Sequence, residues 1–400
     1  MRQTPLMDFP VEEYQKRIQK FAAGLRKRGI DGALITDWKN TRYFSGLRSI
    51  VWESKISNPG MVIITANGDA GIVAYKSSKP TIQYSTFFEE DEIFIYGMGR
   101  IGGDNLPETF VDAILLALQK FELCNKKIGM EMGECSRIHM NFLVMQELFS
   151  RLPDAKFVDC AQAIWDCRMI KSPAEQDFLR KATEINAVCF DAAFASVQLG
   201  KTTELDLLAT MNQVAYDLGA ESVPVYGILF GHDRFQGNCP PSSKVLTAEP
   251  HQILFIDGGP AYRGYCVDTI REAVTHSLTP RQAELFQVAR DTNELALSQV
   301  KAGAPMARVS TIVNEYVDQY GFTEAYHTRG WIGHGIGLDF HELPQIEDTS
   351  ERVFEPGMVI TIEPSFMEND TMLIVEQNVI VTENGYELLS TSPTDMRILK

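Results

Sequence analysis

The sequence lacks any apolar run long enough to cross a membrane. A membrane-spanning helix needs about 18 or more consecutive, predominantly apolar residues, and no segment of the 400 residues approaches that length. The first residues, MRQTPLMDFPVEEYQKR, also contain no apolar core of the length found in signal peptides. We therefore expect a cytoplasmic protein that does not enter the membrane.

Basic residues and close cysteine pairs are also scarce. Lysine and arginine together number 37 against 53 aspartates and glutamates, which gives a formal charge of −16. So acidic a chain is not expected to bind nucleic acid or an anionic membrane through its overall charge. The seven cysteines are scattered and form no zinc-ribbon or redox motif, so we expect reduced thiols.

The composition is that of a folded globular protein, and its length favours two domains. A single domain usually has roughly 100–200 residues, whereas this chain has 400. Ser172, Pro173 and Glu175 form the pattern of a capping box with proline in the first turn, which predicts that a long helix begins at Pro173. We place the boundary just before it, with a first domain at 1–165 and a second at 166–400.

The apolar periodicity differs between the two domains. In the first, helical spacing alternates with short apolar runs, which predicts an α/β domain with helices at 11–28, 110–121 and 138–152 and strands at 32–36, 61–65, 70–75 and 92–95. In the second, the pattern predicts an α+β domain with helices at 173–197, 203–218, 279–301 and 306–320 and strands at 253–257, 264–275, 357–362 and 372–381.

Five residues that can bind metal ions lie on or beside the strands of the second domain: Asp257, Asp268, His334, Glu363 and Glu376. Their apolar neighbours predict that these side chains are partly buried, and a buried charge is costly unless it is paired or bound to metal. Few cationic residues are near in sequence. Neighbouring strands lie about 4.8 Å apart, so acids on adjacent strands can converge on one ion.

The charge of this cluster favours two divalent ions, because four carboxylates balance two M²⁺ when His334 is neutral. Two metals that share carboxylates can hold a water between them, lower its pKa and polarise a substrate carbonyl. Oxygen-rich ligands with one imidazole suit Mn²⁺, and also Co²⁺, Zn²⁺ or Fe²⁺. The cluster therefore predicts a hydrolase.

The order and flanks of these residues resemble the metal-ligand signature of the family that includes creatinase, aminopeptidase P and prolidase. The resemblance rests on segments 256–259, 264–271, 333–344 and 355–364, and in the first domain on 40–46. It implies a creatinase-type α/β N-terminal domain followed by a pita-bread catalytic domain, and a homodimer. The implied activity is that of an Xaa-Pro peptidase that uses a metal-bridging water.

The resemblance also implies roles within the site. Asp257 would bind one metal bidentately, Asp268 and Glu376 would bridge, and His334 with Glu363 would hold the other metal. Glu363 would also act as general base. His341 would stabilise the oxyanion or protonate the leaving nitrogen, and Arg271 would orient an acidic ligand or form an ordinary salt bridge.

The sequence departs from the family pattern in the substrate wall. The peptidases generally carry a histidine upstream of the first metal-binding aspartate, and here Asn238 stands at that place in Gly237-Asn238-Cys239-Pro240. His232, six residues earlier, is either its substitute or a plain loop residue. We assign both residues to the substrate site as a hypothesis.

Two alternatives stay open. One is a hydrolase of a small C–N compound, similar to ectoine hydrolase or creatinase, although creatinase works without the metal ligands that this chain carries. The other is a non-catalytic binding protein on the same fold, which the complete set of five ligands disfavours. The substrate is thus a peptide or another small molecule.

Overall fold

The protein is described here from a computed structural model, which covers residues 3–53, 60–97, 100–101, 104–231, 239–369 and 371–400. The chain divides into two compact units, Met1–Arg168 (unit 1) and Met169–Lys400 (unit 2). Within the covered ranges, no helix is long and apolar enough to span a membrane.

Helices and strands alternate along unit 1. Its helices are α1 (Val11–Lys27), α2 (Trp38–Ser45), α3 (Ile50–Glu53), α4 (Lys79–Ser85), α5 (Phe110–Lys120), α6 (Phe142–Arg151) and α7 (Ala161–Arg168). Its strands are β1 (Gly32–Ile35), β2 (Gly60–Thr65), β3 (Ala70–Tyr75), β4 (Ile93–Tyr96), β5 (Arg100–Ile101), β6 (Asp104–Asn105), β7 (Lys127–Met130) and β8 (Lys156–Asp159).

Six of these strands form a mixed sheet in the order β4-β3-β2-β1-β7-β8, and β5 pairs separately with β6. Strand β1 pairs antiparallel with β2 and parallel with β7, and β7 pairs parallel with β8. Helix α5 buries one apolar face, including Ile114 and Leu118, in the core that the sheet residues Ile63 and Ile128 share. The predicted α/β class of this half is confirmed.

One helix boundary in unit 1 was predicted wrongly. The sequence pattern placed a helix start at 138, whereas α6 begins at Phe142. The reason is local, because the side chain of Asn141 accepts a hydrogen bond from the backbone N–H of Leu143 and so caps the helix at that point.

Unit 2 places pairs of helices against two sheets. Its helices are α8 (Pro173–Ser196), α9 (Glu204–Asp217), α10 (Pro280–Leu297) and α11 (Met306–Tyr320). Its strands are β9 (Ser222–Phe230), β10 (Ile253–Tyr262), β11 (Tyr265–Cys266), β12 (Ile270–Thr275), β13 (Trp331–Gly335), β14 (Glu342–Glu347), β15 (Val359–Ile362), β16 (Ser365–Glu368), β17 (Thr371–Ile374), β18 (Gln377–Val381), β19 (Tyr386–Leu388) and β20 (Arg397–Leu399).

The two five-stranded sheets of unit 2 each share a core with their own pair of helices, and β16 pairs with β17 in a separate two-stranded sheet. The first sheet has the order β11-β10-β12-β20, with β9 on the other side of β10, and shares a core with α8 and α9. The second has the order β14-β13-β15-β18-β19 and shares a core with α10 and α11. The capping box at Ser172 and Glu175 opens α8 as predicted. The predicted α+β class of this half is also confirmed.

Two strands that the sequence pattern predicted as continuous are interrupted. The segment predicted at 264–275 breaks between β11 and β12, and the one at 372–381 breaks between β17 and β18. In both breaks a main-chain carbonyl accepts a side-chain donor: the Asp268 carbonyl accepts from the amide of Asn378, and the Glu376 carbonyl from the guanidinium of Arg271. The breaks coincide with two of the five proposed ligands.

Candidate metal centre

The five predicted ligands lie within or next to strands of the two five-stranded sheets of unit 2. Asp257 lies within β10 and His334 within β13. Asp268 lies in the break before β12, Glu363 directly follows β15, and Glu376 directly precedes β18.

The strand registers bring these positions together in pairs. Asp257 lies opposite Ile270, two residues beyond Asp268, because β10 and β12 are antiparallel. On the second sheet, Ile362 lies opposite Gln377, so that Glu363 and Glu376 end up at neighbouring positions. Each sheet therefore contributes one pair of carboxylates.

The side chains converge on one small region. The Nε2 atom of His334 lies 3.4 Å from Oδ2 of Asp268 and 3.2 Å from Oε1 of Glu363. Three groups of ligand atoms each lie within 4.8 Å of one another: His334, Glu363 and Glu376; Asp257, Asp268 and Glu376; and Asp268, His334 and His341. Glu376 belongs to both of the groups that consist of predicted ligands alone, so these two groups have the form of adjacent sites with a shared carboxylate.

Burial leaves several of these atoms without a hydrogen-bond partner. Asp268 is 3% exposed, and His334 and Glu376 are 0% exposed. Within the part of the chain that the structure covers, no donor or acceptor bonds to Asp268 Oδ1, His334 Nε2, Glu363 Oε1 or Glu376 Oε2. Buried polar atoms are normally satisfied, so four such atoms facing one another indicate a site built for cations.

The electrostatics support the same conclusion. Burial, and secondly the negative charge of Glu363, raises the pKa of Asp257 to about 7. Burial likewise raises the pKa values of Asp268 and Glu376 well above the usual range, and the neighbouring carboxylates add to it. Without cations the cluster thus favours protonation, and divalent ions would remove this penalty.

The orientation of His334 suits a ligand that binds through Nε2. Its Nδ1 lies 2.9 Å from the carbonyl oxygen of Gly335. A carbonyl only accepts, so Nδ1 carries a proton, and Nε2 is the ring nitrogen that faces Asp268 and Glu363. The ring of Trp331 stacks on the ring of His334, with a distance of 5.8 Å between the ring centroids.

His341 stands beside the cluster on its open side. Its ring stacks on that of His334 with a centroid distance of 3.7 Å, and its Nε2 lies 3.6 Å from Oδ2 of Asp268. Burial, and secondly the charge of His334, lowers the pKa of His341 to about 4. The imidazole is therefore neutral near pH 7.

Arg271 was predicted to orient an acidic ligand, and in the structure it donates hydrogen bonds to the backbone beside one. This buried side chain donates to the carbonyl oxygens of Glu376 and Ser392, and to the amide oxygen of Gln377. Burial lowers the pKa of Arg271 to about 10, against the opposing effect of Glu376. Arg271 thus holds the backbone at Glu376 through its hydrogen bonds to carbonyl groups.

Three buried asparagines also hold the ligand-bearing backbone, and sequence reasoning missed them. Asn186 on α8 donates to the carbonyl of Gly258 at 2.9 Å. Asn293 on α10 donates to the carbonyls of Ile362 and Val375 at 2.8 and 2.9 Å. The amide of Asn378 donates to the carbonyl of Asp268 and to Thr269.

A sequence signal for two of these residues did exist. Asn293 follows Leu285 and Ala289 at intervals of four on the buried face of α10, where an apolar residue is expected. Asn186 interrupts the buried face of α8 between Ala182 and Phe190 in the same way. A polar residue within an apolar helical stripe indicates a specific buried hydrogen bond.

A cavity of about 800 Å³ opens onto the cluster. Asp257, Asp268, His341 and Glu363 line it, together with residues of β9, β10, β12 and β17. The two predicted substrate residues, His232 and Asn238, lie outside the residues that the structure describes.

Comparison with family models matches both halves of the chain. The model for metallopeptidase family M24 matches residues 177–383, and that for the creatinase/prolidase N-terminal domain matches residues 17–170. Among curated proteins, an uncharacterized peptidase from Bacillus subtilis is 23% identical over 96% of this chain and 100% of its own length. An uncharacterized peptidase from Staphylococcus haemolyticus is 25% identical over 94% of this chain and 98% of its own length.

Solved structures with the same fold include an Xaa-Pro dipeptidase from Bacillus anthracis, with a TM-score of 0.81 and 21% identity over 96% of this chain and 100% of that one. The prolidase from Pyrococcus horikoshii OT3 has a TM-score of 0.77 and 22% identity over 95% and 99%. Aminopeptidase P from E. coli, with the inhibitor Pro-Leu, has a TM-score of 0.70 and 18% identity over 97% and 96%. The predicted pita-bread fold is confirmed.

Proposed function

Since the chain belongs to metallopeptidase family M24, we propose that it hydrolyses Xaa-Pro peptides with two divalent metal ions. The convergence of buried, hydrogen-bond-free ligand atoms from Asp268, His334, Glu363 and Glu376 carries this proposal. The substrate class is drawn from the solved Xaa-Pro dipeptidase and prolidase structures that share the fold.

The overlap of the two ligand groups supports a division of roles. Asp257 and Asp268 would hold one ion, and His334 with Glu363 the other, with Glu376 common to both groups. Asp268 would also bridge, since its Oδ2 lies within reach of His334. When bound, two divalent ions lower the pKa of a water between them and polarise the substrate carbonyl.

Glu363 and His341 are the groups that move or hold protons. Glu363 lines the cavity and keeps Oε1 free of hydrogen bonds, so it can take a proton from the attacking water and deliver it to the leaving nitrogen. His341 also lines the cavity and is neutral near pH 7, so its ring N–H can donate to the developing oxyanion.

Further details belong to the same proposal. Mn²⁺ is the proposed ion, because four carboxylates and one imidazole form a predominantly hard ligand set. We also propose a homodimer, from the family resemblance, and a cytoplasmic location, since all seven cysteines are free thiols. Residues 166–400 would form the catalytic domain, which follows an N-terminal domain at 1–165 in the sequence.

The test compares metal-loaded protein on Xaa-Pro dipeptides, longer Xaa-Pro peptides and ectoine-like compounds. Glu363→Gln should lower peptide turnover by at least about 100-fold. The exposed Glu294→Gln on α10 is the matched control and should retain turnover. Metal content is measured for each protein, so that loss of an ion is separated from loss of the base.

The proposal fails if metal-loaded protein hydrolyses none of these compounds and Glu363→Ala leaves every measured property unchanged. Hydrolysis of the ectoine-like compounds alone would retain the metal centre and replace the peptide with a small C–N compound.

A further inference from the structure

One wall of the cavity beside the proposed metal centre is apolar. It is formed by Val225 and Leu229 of β9, Phe255 of β10, Ile270 of β12, and Met372 and Ile374 of β17. The cavity volume of about 800 Å³ lies within the range of roughly 300–1,000 Å³ found for small-molecule sites. Asp257 and Glu363 line the same cavity.

The register of β9 and β10 places a glycine in the middle of this wall. Gly227 lies opposite Asp257, and Leu229 lies opposite Phe255. Because side chains alternate along a strand, Val225, position 227 and Leu229 face the same side. All three line the cavity, so a gap in the apolar wall lies directly beside Asp257.

The fold itself does not require glycine at position 227. Among the residues that the structure describes, a Cβ atom built there would meet nothing closer than the Cβ of Asp257 at 3.7 Å, an ordinary van der Waals distance, and the backbone has no positive φ. Neighbouring glycines differ, since a Cβ on Gly258 would lie 2.4 Å from the carbonyl oxygen of Val225, and one on Gly333 would lie 2.1 Å from that of Thr361.

Glycine within a strand weakens the strand, and it often marks a place where a ligand approaches closely. Close approach of a ligand is the explanation that fits Gly227, because the space that a side chain would fill there is part of the cavity. The surrounding Val225, Leu229 and Phe255 make that space suited to an apolar group.

We propose that Gly227 keeps open a subsite for a large apolar side chain, aliphatic or aromatic, on the substrate residue that lies next to Asp257. This inference rests on the proposed peptidase function for the identity of the substrate. Gly227 acts as a specificity-determining residue, because any larger side chain there shortens the subsite from the Asp257 end.

The direct test measures binding, independently of turnover. Leucinamide, phenylalaninamide and glycinamide are titrated by calorimetry into the Mn²⁺-loaded full-length protein. The first two should bind at least tenfold more tightly than glycinamide, since apolar pockets discriminate by about 10- to 200-fold per methylene. Gly227→Val should remove this preference and leave glycinamide binding unchanged.

Two further variants separate the subsite from general effects of replacing glycine. Gly227→Ala adds a single methyl group and should reduce the preference only in part. Gly385→Val is the matched control, because a Cβ there has no atom of the described residues within 4 Å and the residue is not among those that line the cavity. This control should bind all three amides as the unmodified protein does. Metal content and the melting temperature are measured for every variant.

The inference is overturned if Gly227→Val weakens all three amides equally with both ions retained, or if the unmodified protein does not discriminate among them. Absence of binding by leucinamide and phenylalaninamide also overturns it.

Turnover of peptides that carry Gly, Leu or Phe beside the cleaved bond separates the two proposals. If no peptide is hydrolysed but Gly227→Val changes size-selective binding, the peptidase proposal fails and the subsite stands. If peptides are hydrolysed without size preference, the peptidase proposal stands and the subsite proposal fails.

Discussion

Replacing Asn293 with leucine should destabilise unit 2 and weaken the metal centre together. Leucine keeps the branched shape of asparagine but removes the N–H groups that bond to the carbonyls of Ile362 and Val375. Those residues directly precede the proposed ligands Glu363 and Glu376. Both are almost fully buried, at 0% and 5% exposure, so water cannot easily replace the lost donors.

The size of the effect follows from these two contacts. A buried carbonyl that loses its donor costs about 1–3 kcal/mol, so two of them cost about 4 kcal/mol at the middle of the range. The two methyl groups of leucine recover about 1.6 kcal/mol through burial. We therefore expect the free energy of unfolding to fall by about 2–3 kcal/mol. Metal affinity should fall about tenfold or more, as for other residues that orient ligands.

The assay is urea unfolding of the metal-free protein, followed by circular dichroism, together with chelator competition for the metal-loaded form. Gln287→Leu on the solvent side of α10 is the matched control, since it removes a side-chain amide that bonds only to Asp291 in the described contacts. Its effect should stay within about 0.5 kcal/mol. An equally small effect for Asn293→Leu, with unchanged metal affinity, would refute the reasoning.

Three other predictions concern metal and protons. Asp268→Ala or Glu376→Ala should each abolish binding of the metal pair, and elemental analysis that finds two ions per chain in either variant would count against the assigned bridges. Chelation should lower the melting temperature, because ligand at 100 times its Kd stabilises by about 2.7 kcal/mol; an unchanged calorimetric scan in EDTA would contradict a metal centre. Burial, and secondly the charge of Asp37, raises the pKa of Glu131 from its ordinary value of 4.5 to about 7. The folded chain therefore binds more protons than the unfolded chain between these values, so stability should fall as pH rises from about 4.5 to about 7. Metal-loaded Glu131→Gln should lose the part of this slope that Glu131 contributes, as measured by urea unfolding against the metal-loaded unmodified protein.

Local sequence signals predicted the helices of unit 2 well. The helix predicted at 306–320 is α11 (Met306–Tyr320), and the capping box correctly placed the start of α8 at Pro173. Caps and apolar periodicity act within a few residues, so they are visible in one sequence. Strand β20 was missed, because it exists through parallel pairing with β12, more than a hundred residues away. Such pairing leaves no local pattern.

The residues of the candidate site also fall into those that local motifs identify and those that they do not. The five residues of the acidic cluster could be identified from their motifs, and the structure brings all five together with His341. The supporting contacts of Asn186, Asn293 and Asn378 could not be identified in the same way, because each joins segments that are distant in sequence. The roles of His232 and Asn238 stay predictions.

These supporting contacts explain how the cluster can be rigid and still remain ready for cations. Asn293, Asn378 and Arg271 direct their donors at main-chain carbonyls beside the carboxylates. Thr361, which donates to one oxygen of Glu376, is an exception. Donors placed on the carboxylates themselves would have satisfied the negative charge and lowered the gain from binding metal. The backbone is tied, and oxygens of Asp268, Glu363 and Glu376 have no hydrogen bond to any residue that the structure describes. The fold therefore fixes the positions of the ligands while it leaves their charge for the ions to neutralise.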